Sequence, residues 1–124
     1  MREIGSHEFA LAAGAVPERS HGAEPEFTSH DLLCVLNAAD QTANLELTVY
    51  HTDRDPVGPY PIRVEARRVR HVRMNDLIEP EAVPLGVPYG CVLRSDVAVV
   101  AQMLRQDTRD SGRGAPGITC LPFV

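Results

Sequence analysis

Lysine and tryptophan are absent from this chain, and aromatic residues make up only 5% of it. Every permanently cationic side chain is therefore an arginine, charged at any ordinary pH and able to grip carboxylates in a fork geometry. No run approaches the roughly 20 apolar residues that span a bilayer, and the apolar patch near the start is too short for a secretory leader. A soluble, cytoplasmic protein with no membrane insertion is expected. Cysteine is scarce: Cys34, Cys91 and Cys120 are odd in number, widely spaced and form no CxxC pair, which argues against a disulfide framework. Cys34 and Cys91 sit in apolar runs and read as buried, reduced thiols.

The motifs of common chemistries are missing too. His7, His21, His30, His51 and His71 show no ligand spacing and no HExxH, so neither a metal site nor a cofactor is expected. There is no GxSxG elbow, and Gly112-Arg113-Gly114 has no following helix to cradle a phosphate. Ser29-His30-Asp31 holds the residue types of a catalytic triad. Neighbours on a strand point to opposite faces, however, so the run assembles nothing by itself. The chain is read as a non-enzyme with no catalytic residues.

What it has in abundance is turn chemistry. Ten prolines and nine glycines among 124 residues argue against a helical bundle. The length fits a single domain over residues 1–124, and 44% apolar content is enough for a core at this size. Strands are expected at 8–13, 30–38, 45–51, 60–66, 67–75, 89–95 and 97–105. A last apolar piece at 118–123 follows a Gly/Pro-rich link. Residues 45–51 alternate cleanly, with Leu45, Leu47 and Val49 on one face. The run 30–38 reads as a central strand covered on both faces. Asp55-Pro56-Val57-Gly58-Pro59 reads as a rigid turn, and Ser95-Asp96 as a break between two strands. About seven or eight antiparallel strands imply an all-β, single-domain β-sandwich, with immunoglobulin-like and jelly-roll topologies both open. Residues 110–124 are expected to be a loosely attached tail.

Polar chemistry concentrates in the middle of the chain. Arg63, Arg67, Arg68, Arg70 and Arg73 crowd one segment, although the net charge is -5. That balance makes nucleic acid an unfavoured partner and leaves only a local, patch-based version open. If 67–75 is extended, His71, Arg73 and Asn75 share a solvent-facing row that ends in Asp76, while Val72 and Met74 face the core. Arginine and asparagine there offer donors to carboxylates or hydroxyls. Arg105 and Asp107 share a face near another strand end, and Arg105 could reach an acid on a neighbouring strand. With His30, the candidate partner- or ligand-binding residues are His30, His71, Arg73, Asn75, Asp76, Arg105 and Asp107.

Four stretches carry a family resemblance: GAEPEFTSHDLLCVLNAAD (22–40), LTVYHTDRDPVGPYPIRV (47–64), ARRVRHVRMNDL (66–77) and LRSDVAVVAQMLRQDTR (93–109). In these the chain resembles the sensory rhodopsin transducer family of small soluble bacterial proteins. The resemblance implies a β-sandwich assembled as a homotetramer, and a non-enzymatic signalling adaptor that binds the cytoplasmic face of a microbial rhodopsin. It supplies no catalytic residues, and the segment 110–124 departs from the family pattern. Beside it stand a module binding a small molecule, such as a sugar or organic anion, and, third, a DNA-binding regulator using the Arg63–Arg73 cluster.

Overall fold

Period-two patterning sets the inward face of each strand. In the computed structural model, which describes residues 3–16, 30–107 and 117–124, this patterning builds seven strands among the described residues. They are β1 (Ser6–Gly14), β2 (His30–Asn37), β3 (Ala43–His51), β4 (Val57–Val64), β5 (Arg68–Arg73), β6 (Tyr89–Asp107) and β7 (Gly117–Leu121), with one 3-10 turn at Met74–Asp76. The strands form one antiparallel sheet in the order β4-β3-β6-β2-β5, with β1 and β7 also paired to β6. The all-β expectation holds, and the sheet curls over so that its two halves pack against each other.

The halves share β6. Its first part pairs with β3 from Tyr89 to Ser95 and with β1. Its second part pairs with β2 from Val100 to Gln106 and with β7. Ser95-Asp96 therefore does not separate two strands, as the polar pair had implied. Ser95 is buried, and its hydroxyl donates to the Val97 carbonyl at 2.6 Å and accepts from the Val97 amide at 3.3 Å. A local side chain thus serves backbone groups at the bend, where the ladder changes partners.

The core lies between the two halves. Ala43, Leu45, Leu47 and Val49 of β3 meet Leu33 and Val35 of β2, Val99, Ala101 and Met103 of β6, and Tyr60, Ile62 and Val64 of β4. Burying each large aliphatic side chain contributes about 1.5–3 kcal/mol. The two faces of β2 are covered unequally: Asp31, Leu33, Val35 and Asn37 are buried on one, while on the other His30 is buried, Leu32 and Cys34 are half-buried and Leu36 is exposed. Asn37 organises the turn after β2. Its amide donates to the carbonyls of Gln41, Val64 and Glu65, and its oxygen accepts from the Ala39 amide.

Three further expectations need correction. Val57-Gly58-Pro59 belongs to β4 rather than to a turn. β4 is an edge strand, where proline's missing N–H is tolerated. β5 stops at Arg73, and Met74 turns inward to full burial in the 3-10 turn. The chain end is not loose over residues 117–124: β7 pairs with β6, Leu121 is buried, and Phe123 packs on Phe9 at 5.6 Å. Val124 and Ala10 exchange two backbone hydrogen bonds. Both polar groups of one strand residue point to the same side, so this pair covers the edge of β1 away from β6.

Candidate functional site

Antiparallel pairing brings the start of β2, the end of β5, the end of β6 and the start of β7 to one end of the second half-sheet. In the register, Leu32 faces Arg73, His30 faces Gln106, and Asp31 faces Arg105. The 3-10 turn with Asn75 and Asp76 packs against β2. The sequence-predicted residues His30, Arg73, Asn75, Asp76, Arg105 and Asp107 therefore gather here from separate elements. Of Asp107, the structure describes only its backbone pairing with Gly117. His30, Arg73, Asn75, Arg105 and Gln106 each engage in a bond or electrostatic interaction.

The expected solvent-facing row is not formed. His71 is exposed on β5 opposite Cys34, but Arg73 is half-buried and Asn75 lies in the turn, half-buried as well. The alternation of an extended strand ends at Arg73, so Asn75 does not continue the row. Val72 and Met74 do face the core.

The best-defined polar arrangement centres on Asp31, which is 0% exposed. Its carboxylate accepts from Arg105 Nε at 2.8 Å and Arg105 Nη2 at 3.3 Å, from the Tyr89 hydroxyl at 2.7 Å and from the Ala15 amide at 3.2 Å. Arg105 also donates to the Ala13 carbonyl at 2.8 Å. This is the cross-strand acid expected for Arg105, but as a buried pair rather than a surface one. Charge-assisted bonds of this kind are the strong ones, and a buried charge needs them. Burial and the Asp31 charge push the Tyr89 hydroxyl far above its ordinary value, so it stays a donor. A carboxylate accepting four bonds away from solvent is a clasp rather than a general base. Sequence reasoning missed Asp31 and Tyr89, because an aspartate beside a histidine and a tyrosine after a proline carry no signal until the register is known.

The remaining charges are unevenly matched. Arg54 pairs with Glu81, Arg67 with Asp40, Arg94 with Glu8 and Arg105 with Asp31. Arg63, Arg68 and Arg70 have no carboxylate partner among the described residues. No group of three or more potential metal ligands exists among the described residues. One open groove, of about 250 Å³, lies between His51–Arg54 and Pro84, Val87 and Pro88. It is separate from the Asp31 cluster.

The profile of the Anabaena sensory rhodopsin transducer matches residues 4–118. The chain belongs to the sensory rhodopsin transducer family. The solved structure of the Anabaena sensory rhodopsin transducer is 43% identical, covers 83% of this chain and 99% of its own, and superposes with a TM-score of 0.75. The crystal structure of Thermotoga maritima 1070 is 25% identical, over 95% of this chain and 94% of its own, with a TM-score of 0.77. No curated protein shows significant similarity to the chain. The transducer family is a signalling family rather than a known enzymatic one. No helix among the described residues is long and apolar enough to cross a membrane.

Proposed function

We propose that the protein is a cytoplasmic, non-enzymatic signalling adaptor that docks on the inner face of a microbial rhodopsin and works as a homotetramer. The observation carrying this reading is the 43% identity to the Anabaena transducer over 99% of that chain. The outer face of the second half-sheet supplies a surface for assembly. Leu36 and Val69 stand opposite each other in register and are 42% and 61% exposed, and Ile118 on β7 is 67% exposed. The adjoining Leu36 and Val69 favour a protein interface, while Ile118, paired with Gln106, lies at the other end of this half-sheet. His71 and Arg73 would border it, and His30, Asn75, Asp76, Arg105 and Asp107 would shape its end. The test is calorimetry with the rhodopsin of the same organism. Saturable heat is expected, and its absence at high micromolar concentration overturns the reading. Light scattering should report a tetramer, and Leu36→Glu with Val69→Glu should dissociate it.

A second reading, a module for a polar small molecule, is favoured by the convergence of His30, Arg73, Asn75 and Arg105 at one sheet end. A stabilising sugar or organic anion would raise the thermal midpoint, and Arg73→Ala should remove the shift. A variant responding like the parent would dismiss this site.

A further inference from the structure

Two of the edge strands of the curled sheet, β4 and β5, are built differently. β4 carries Pro59 and Pro61, both exposed. Proline has no backbone N–H, so this edge is blunted as a template. Its Arg63 carbonyl is already taken by the guanidinium of Arg70 at 2.8 Å. β5 is six residues long, without proline, and pairs only with β2 among the described residues. Its second edge therefore keeps a row of backbone donors and acceptors. Arg68 and Arg70 are exposed and lie one pleat apart on the same side of this strand. Arg68 donates to the Arg67 carbonyl at 3.1 Å, and neither guanidinium has a carboxylate partner among the described residues.

A charged edge repels another copy of itself, which protects against aggregation. The same charge attracts a strand of opposite sign. We propose that the free edge of β5 accepts an extended acidic segment of a partner protein as an added strand, with carboxylates two residues apart meeting Arg68 and Arg70. Main-chain bonds supply affinity in this mode, and alternate side chains supply selectivity. Acids at alternate positions stand about 7 Å apart on one face. The residue between them points to the other face and carries no charge requirement. The inference rests on the adaptor reading only in taking the partner to be a protein. It concerns the start of β5, away from the Asp31 cluster.

The probe is a fluorescent synthetic peptide of alternating glutamate and valine, titrated into the full chain and followed by anisotropy. Its controls are an isomer with the glutamates in one block, a lysine-for-glutamate peptide, and a short DNA duplex. The alternating peptide should bind, more weakly as salt rises, and the block isomer and lysine peptide should bind less well. Arg68→Ser with Arg70→Ser should weaken binding by about tenfold, the sum expected of two partly exposed ion pairs. Arg70→Gln, which keeps the side chain's length, should give part of that loss and serves if the double variant does not fold. Failure of the peptide to saturate, equal binding of the block isomer, or unchanged affinity in the variants overturns the proposal. Binding of the duplex without the peptide would assign the edge to nucleic acid instead. Rhodopsin calorimetry in parallel separates the two readings. Rhodopsin heat without peptide binding removes only this inference, and peptide binding without rhodopsin heat removes only the photoreceptor.

Discussion

Tyr89 and Arg105 stand near opposite ends of the 19-residue β6 and bond to the same carboxylate, that of Asp31. In a straight strand they would lie more than about 50 Å apart. The bend near Ser95 brings them together, and Asp31 holds the closed arrangement. Arg105→Ala should leave the Asp31 charge buried with too few donors and cost about 3 kcal/mol or more. Tyr89→Phe should cost about 1 kcal/mol. Urea unfolding of the single and double variants measures both, and strictly additive losses would show that the two residues do not act as one clasp.

Alkali should loosen the fold through the same region. Burial, then the Asp31 charge, pushes the Cys91 thiol from 9.0 up to about 12, and the Tyr89 hydroxyl rises well above its ordinary 10.0 for the same reasons. The protonated forms are the neutral ones, and the folded chain holds those protons more tightly. Stability is therefore full below about pH 9 and falls as pH rises toward 12, by at most about 1.4 kcal/mol per unit for each group. The urea midpoint between pH 8 and 11 reports this slope, and it should be shallower in Tyr89→Phe and in Cys91→Ala.

Gly14 faces Tyr89 so closely that an added Cβ would fall 2.3 Å from the ring. The ring cannot swing away freely, because it is buried and tied to Asp31. Gly14→Ala is expected to cost about 1–3 kcal/mol through overpacking. A thermal midpoint equal to the parent's would mean the ring has room to move.

On the acid side, the backbone amide of Asn44 donates to Asp96 at 2.7 Å and the Asn44 side chain donates at 3.2 Å. These bonds hold the Asp96 carboxyl below 3.8, with the backbone bond the larger cause. Their contribution is present above that value and is lost as pH falls through the depressed one. At this exposed site it amounts to a few tenths of a kcal/mol. Asn44→Ala should therefore leave most of the depression in an NMR titration of Asp96. A return to the ordinary value would assign it to the side chain.

Much of the architecture was legible because period two is a local property. Leu45, Leu47 and Val49 announce the core face of β3, and Val72 and Met74 turn inward as the pattern requires. What stayed hidden depends on distant partners. The polar look of Ser95-Asp96 conceals a continuous strand, because Ser95 serves the backbone beside it. Arg105 signalled the need for an acid, but only the register of β2 on β6 shows that Asp31 meets it. The expected row ended early because the chain leaves the strand after Arg73 for the 3-10 turn Met74–Asp76, which takes Asn75 out of the alternation.

The position of β6, sixth of the seven strands among the described residues, has a consequence for biosynthesis. Earlier segments leave the ribosome first, yet β1, β2 and β3 all wait for a neighbour translated later. A nascent chain stopped before Tyr89 holds the β3–β4 hairpin and the β2–β5 pair without the spine that unites them. Productive assembly should begin only after that spine has emerged.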